Sequence, residues 1–204
     1  MKEFREEDQG KILAFVREYP LATVTAAGED GWPVATHVPI LVEERGDKIF
    51  LRGHVMRKTD HWHAFTTNPN ILAIFHGPNC PVLASWYPET DNGGTWNYMV
   101  AHAYGTLTML PEEELLKVLR ELKDFYEGSA ESWFDKLSPE YLAKMLPAIQ
   151  AFEVEVNRLQ AVFKLSQNRD DASYANIINK LNERGGSCRE VAQKLIANRP
   201  WVSQ

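Results

Sequence analysis

In the middle of the chain apolar side chains alternate with polar ones, while near both ends they recur at three- and four-residue intervals, so the pattern predicts a β region flanked by helices. Ile12, Leu13, Phe15 and Val16 follow Asp8, a side chain suited to capping a helix, and this helix has to stop at Pro20. A β-hairpin is expected next: Leu21 to Ala27, a turn at Gly28-Glu29-Asp30-Gly31, and one continuous run through Val34, Thr36, Val38, Ile40 and Val42. The other face of that run carries Ala35, His37, Pro39 and Leu41. A second turn at 44–48 leads into Ile49 to Val55, followed by a short helical piece from Thr59 that contains Trp62. Further strands are predicted at Ile71 to Phe75, Val82 to Trp86 and Trp96 to Met109, with breaks at Gly77-Pro78 and at Asp91-Asn92-Gly93-Gly94. Six such strands close a barrel more readily than a sandwich.

Pro111 followed by Glu112, Glu113 and Glu114 marks a helix start, because proline suits the first turn and carboxylates suit the positive end of the dipole. This helix should reach about Tyr126, and Ser138-Pro139 opens another. The β pattern then returns from Ala151 to Leu165, where Phe152, Val154 and Val156 alternate with Glu153 and Glu155. Two helices end the chain, one striped by Tyr174, Ile177, Ile178 and Leu181, the other by Cys188, Val191, Ala192 and Leu195. Gly185-Gly186 should end the first and Ser187 cap the second. The expected architecture is α+β: residues 1–169 an antiparallel β-barrel with inserted helices at about 111–146, and 170–204 a helical hairpin packed on it.

Composition adds limits more than detail. With 44% hydrophobic and 11% aromatic residues the 204-residue chain can bury a core without staples. Cys80 and Cys188 lie far apart with no CxxC spacing, which reads as two plain thiols in a reducing compartment, and the location expected is the cytoplasm. No apolar run approaches the length of a membrane span, and the first residues show no apolar signal core. The net charge of −6 disfavours a protein built to grip phosphate backbones. The charge is uneven, with 14 Lys+Arg against 24 Asp+Glu in residues 1–157 and 8 against 4 in 158–199. Direct DNA binding is therefore the least favoured reading but stays open, and residues 187–197 carry only Arg189, Glu190 and Lys194 as exposed charges for reading base edges.

The six histidines, His37, His54, His61, His63, His76 and His102, show no HExxH or compact Cys/His spacing, so no metal site is expected. Nucleophile motifs and glycine-rich phosphate loops are absent too. Arg52, Arg57 and Lys58 follow a predicted strand and are the available cations for a phosphomonoester, with ordinary surface charge as the competing reading. Trp86, Tyr87, Trp96, Tyr98 and Tyr104 are flat surfaces for an aromatic ring or plain core aromatics.

Six segments, ATHVPI at 35–40, LRGHVMR at 51–57, IFHGP at 74–78, SWY at 85–87, TWNYMVAH at 95–102 and KLSQNR at 164–169, together resemble the PaiB-type family of FMN-binding negative transcriptional regulators. The resemblance runs in order from about residue 12 to 198, and TWNY and KLSQNR are its specific parts. It implies a split-barrel homodimer with FMN in a groove between subunits. Thr36 and His37 would lie along the isoalloxazine, and Gly53, His54 and Arg57 at the phosphate and ribityl end. Trp96, Asn97, Lys164, Ser166 and Gln167 of the other subunit would close the site, with Asn168 and Arg169 shaping that segment. Arg57 would pair with the phosphate and Lys164 would favour the anionic reduced ring. The sequence departs from the pattern at Thr59-Asp60, where Asn-Pro is expected, and at His76 and Asn79, where glutamines are common; Asp60 adds negative charge near the phosphate end. The function implied is regulatory or redox-sensing. The alternative is an enzyme of the same class, a flavin-dependent oxidoreductase or a haem-degrading protein, for which no general acid or base stands out.

Overall fold

Eight strands and six helices make up the described part of the chain, residues 2–88, 91–128 and 136–199 of a computed structural model. Residues 129–135 of the expected helical insert and 200–204 of the expected terminal hairpin lie outside it. The strands are β1 (Arg5–Glu6), β2 (Leu21–Ala27), β3 (Pro33–Pro39), β4 (Leu41–Arg45), β5 (Lys48–Met56), β6 (Asn70–Val82), β7 (Thr95–Met109) and β8 (Ile149–Lys164). The helices are α1 (Gln9–Glu18), α2 (Asp60–Thr67), α3 (Glu112–Glu127), α4 (Pro139–Met145), α5 (Asp171–Arg184) and α6 (Ser187–Asn198). The fold is α+β, a curled antiparallel split-barrel sheet with peripheral helices and a C-terminal helical hairpin. Its residues group into two compact units. One comprises Val16–Phe75 and His102–Leu159; the other comprises Met1–Phe15, His76–Ala101 and Gln160–Gln204.

In the first unit the strand order is β3-β2-β6-β7-β8-β5-β4. The run expected as one strand through Val42 is two. The Ile40 amide still donates to Pro20 O at 2.9 Å, in the register that sets Leu21 opposite Pro39, but Pro20 has no amide hydrogen to return, so β3 stops at Pro39 and β4 starts at Leu41. Because β3 and β4 stand at opposite ends of the order, this junction requires the sheet to curl until its edges meet, as in a barrel. Leu115, Val118 and Leu122 of α3 pack on Ala151 of β8, with Leu41 and Ile149 alongside. The same helix supplies Glu114 and Glu121 to Arg52 of β5, at 3.2 and 2.6 Å.

In the other unit β1 pairs with β8 through Arg5 with Val162 and Glu6 with Ala161. Gly77-Pro78 does not break β6. The Phe15 ring lies where a Gly77 side chain would be, 2.5 Å from an ideal Cβ, so glycine there serves close packing inside a strand that runs on to Val82. The strand expected at Val82 to Trp86 is instead a 3₁₀ turn over Ala84–Trp86, closed by the Trp86 amide on Leu83 O and by Asn176 of α5, which donates to Trp86 O. In the hairpin, Tyr174, Ile177 and Leu181 are buried with Val191, Ala192 and Leu195, and Tyr174 Oη donates to Leu195 O at 2.9 Å. The cap of α6 is Gly186, at φ 55°, with Ser187 already the first helical residue. Cys80 and Cys188 are not plain thiols: they form a disulfide. Their separation of 108 residues says nothing about distance once β6 and α6 are packed together, and the thiol argument for a reducing compartment loses its premise.

Candidate functional site

Two clusters of candidate residues are described separately, one in each unit. The first lies on β7 and the end of β8. Side chains alternate across a strand, so Thr95 and Asn97 share one face of β7 while Trp96 takes the other. Lys164 Nζ donates to Thr95 Oγ1 at 2.5 Å and stands 5.7 Å from the Phe4 ring centroid. Ser166 Oγ donates to Asn97 Oδ1 at 3.0 Å. Ser166 and Asn97 are both buried, and Asn97 Nδ2 finds no partner among the described residues. Ser166 holds a left-handed backbone, φ 57°, which folds the chain back so that the Arg169 amide reaches Ser166 O at 2.9 Å. Gln167 secures this turn, accepting from the Leu165 amide at 2.7 Å and donating to Phe163 O at 2.7 Å. Arg169 donates to Asn92 Oδ1 and lies over the Tyr87 ring. Lys164 and Asn97 thus form a ladder of donors: an ammonium held by the Thr95 hydroxyl, and a buried amide with a hydrogen to give, its oxygen held by the Ser166 hydroxyl. Such a set suits an acceptor-rich ligand edge.

Trp96 is brought into a different surface. It is 49% exposed and donates Nε1 to Asn79 Oδ1 at 3.3 Å, lining a groove of about 340 Å³ with His76, Gly77, Tyr98, Met99 and Val100. His76 and Asn79, where the sequence departs from the family pattern, are two of its walls.

The second cluster belongs to β3 and β5. Thr36 and His37 stand on β3, at one end of the strand order, opposite Val24 and Thr23 of β2. Thr36 is half-buried and His37 exposed. Gly53 is buried: a Cβ there would lie 3.0 Å from the Phe152 ring and 3.1 Å from Pro39 O. His54 points under α3, into a cavity of about 270 Å³ lined also by Pro39, Leu119, Leu122, Lys123 and Tyr126. Its Nδ1 is buried without a partner among the described residues, and burial pushes the imidazolium pKa down. Arg57 donates Nε to Ile149 O at 3.1 Å and Nη1 to Gln150 Oε1 at 2.8 Å, which also receives Trp62 Nε1 at 2.8 Å. At the start of α2, Thr59 caps the Trp62 amide and Asp60 Oδ1 accepts from the His61 amide at 2.7 Å, so side chains of this chain already serve the helix end.

Arg52, one of the three cations weighed for a phosphate against ordinary surface charge, serves neither. It is 3% exposed, and besides Glu114 and Glu121 it has Glu43 and Glu153 at 3.5 and 3.7 Å. Thr95 and Phe4 were missed. Thr95 carries a readable signal, since it precedes Asn97 by two positions in a strand; Phe4 carries none. Among the described residues no three His, Cys, Asp or Glu side chains gather as a metal set, and no helix is long and apolar enough to cross a membrane.

With the geometry in hand, similarity to known proteins is informative. The family model described as "Putative FMN-binding domain" matches residues 1–158. The Bacillus subtilis "Protease synthase and sporulation protein PAI 2" is 34% identical over 195 residues, 94% of this chain and 93% of its own length. A flavocytochrome of Azotobacter vinelandii shares the fold with a TM-score of 0.63 at 18% identity, over 85% of this chain and 75% of that one. The FAD- and haem-binding protein of Mycobacterium smegmatis does so at 0.58 and 15%, over 79% and 73%. At those identities the two structures attest the fold alone. The family match and the Bacillus relative reach further, and they agree with the resemblance carried by TWNY and KLSQNR: the chain belongs to the PaiB-type family of FMN-binding domain proteins.

Proposed function

We propose that the protein is a homodimeric, cytoplasmic FMN-binding protein with a regulatory or redox-sensing role, in which each flavin takes its two walls from different chains. The observation that carries this reading is the donor ladder on β7 and β8. Asn97 Nδ2 is fully buried and unpaired, and the described ionic contacts give Lys164 a hydroxyl and no carboxylate. A buried donor left unmatched costs about 1–3 kcal/mol, and an acceptor-rich ring edge would recover it. Two residues fit the group on that wall: Lys164 and Asn97 would donate to acceptor atoms, Ser166 would hold the Asn97 amide through its own hydrogen bond, and Gln167 would keep the turn closed, while Trp96 belongs to the other face of β7. On the partner's wall Thr36 and His37 would lie beside the ring and Arg57 at the phosphate. Gly53 and His54 would act from behind, Gly53 by letting β5 approach Phe152 and Pro39 closely.

Bound flavin would supply one- and two-electron transfer, and the chain's own part is to fix, shield and charge its surroundings. Lys164 would place a positive charge at the wall, and Ser166 would keep Asn97 oriented through their hydrogen bond. The regulatory role rests on the Bacillus relative's printed name and needs no contact with DNA. A second reading, an oxidoreductase acting on a planar substrate, draws on the groove where the His76 imidazole faces Trp96 and Tyr98.

The deciding experiment is FMN titration of the purified protein, followed by flavin fluorescence and sedimentation. Saturable uptake of one FMN per chain by a dimer supports the proposal. No uptake, or uptake undiminished in Lys164→Met, defeats it. Steady oxidation of a reduced nicotinamide by the loaded protein would favour the enzyme.

A further inference from the structure

We infer that the Cys80–Cys188 bond is a redox-responsive tether that acts through α6 on the Lys164–Arg169 turn and thereby regulates the flavin site; the flavin part of this inference rests on the function proposed above. The disulfide joins β6 to the first turn of α6. At the far end of the same helix, Arg199 donates Nη2 to Gln167 O at 2.6 Å and Nη1 to Arg169 O at 3.0 Å, and it pairs with Asp171 at 3.0 Å. One helix of 12 residues is therefore fastened at both ends, by a covalent bond at Cys188 and by Arg199 on two carbonyls of the turn. That turn holds Ser166 against Asn97 and follows directly on Lys164. Cys80 also neighbours Asn79, which accepts from Trp96. The bond lies one residue from the Asn79–Trp96 contact and one helix from the Lys164–Arg169 turn.

Exchange with a small thiol would start at Cys188, which is 8% exposed against 1% for Cys80. The small thiolate attacks the Cys188 sulfur, and the bonding pair of the S–S bond leaves on Cys80, which is then protonated. A second small thiolate attacks the outer sulfur of the mixed disulfide and releases the Cys188 thiolate with one molecule of small disulfide. Two electrons pass from two small thiols to the protein, and excess small disulfide reverses both steps. Once reduced, α6 keeps its packing on α5 but loses the fixed end against which Arg199 pulls the turn closed. In the cytoplasmic setting proposed above, a bond of this kind is a sensor more often than a staple.

The test uses the full-length protein equilibrated in glutathione buffers from oxidised to reduced, with and without FMN. Thiols are counted by alkylation and mass spectrometry, and hydrogen exchange is followed on the peptide containing Leu165 to Arg169, whose Leu165 and Arg169 amides are bonded within the turn. Reduction is expected to speed exchange there about tenfold, with no change in a β2–β3 peptide, and to weaken FMN binding about tenfold. Arg199→Met should abolish the difference while leaving disulfide formation intact. Equal exchange in both states overturns the tether, as do two free thiols in the most oxidising buffer. Faster exchange with equal FMN affinity overturns the regulation. Faster exchange in a protein that takes up no FMN in either state upholds the tether and defeats the flavin reading.

Discussion

Ser166 Oγ donates to Asn97 Oδ1 at 3.0 Å with both side chains buried, yet the amide nitrogen of Asn97 has no partner among the described residues. Asn97→Ala removes one orphaned donor but leaves the buried Ser166 hydroxyl without its acceptor. The ligand-free protein should lose about 1–3 kcal/mol, while FMN binding weakens about tenfold. Urea unfolding of the apoprotein beside an FMN titration separates the two effects. A large stability loss with unchanged FMN affinity would make Asn97 a purely structural residue.

Arg52 should behave in the opposite way. Its guanidinium is buried against Glu114 and Glu121 of α3, so Arg52→Met leaves carboxylates facing one another. A loss of about 2–4 kcal/mol in urea unfolding is expected, with FMN affinity changed less than twofold in the folded protein. Selective loss of FMN binding would return Arg52 to the phosphate.

His54 predicts a pH dependence. Burial depresses its imidazolium pKa below the ordinary 6.5, so the folded chain resists a proton that the unfolded chain accepts. The stability contributed by neutral His54 is complete above about 6.5 and is lost as pH falls from there toward the folded pKa. Urea midpoints across that window should decline in the wild type more steeply than in His54→Gln. An NMR titration of the His54 ring at or above its ordinary value would contradict this.

Asp60 sits three residues after Arg57 and accepts from the His61 amide, with its side chain 76% exposed. If the FMN phosphate rests near Arg57, Asp60→Asn should tighten FMN binding roughly twofold to fivefold at low ionic strength, with the gain fading in high salt. The measurement is an FMN titration at two salt concentrations. A gain that ignores salt, or none, would place the phosphate elsewhere.

The helices were legible because their stripes of three and four residues are local, and Thr59, Ser138 and Pro111 mark their starts as read. Strand ends were harder. Gly77-Pro78 looks like a break but lies inside β6, while β3 ends at Pro39, embedded in a clean alternation, because Pro20 opposite Ile40 has no amide hydrogen to return. What separates the two is the partner across space, Phe15 in one case and Pro20 in the other, and a sequence does not print partners. The same limit hid the disulfide and the burial of Arg52. Motif residues were named together, yet strand alternation sends Trp96 and Asn97 to opposite faces, a division that simple counting along TWNY makes visible.

The single-residue step from β3 to β4 has a consequence for how the chain is made. The hairpins β2–β3 and β4–β5 are complete by Met56, but in the finished sheet β6, β7 and β8 stand between β2 and β5. The last of these strands begins at Ile149. During synthesis the open edge of β2 is covered soon afterwards by β6, whereas the open edge of β5 waits for β8. A distant partner arriving last is the mark of slow folding and of intermediates prone to stick to one another. The β4–β5 hairpin therefore depends on late residues for the protection of that edge.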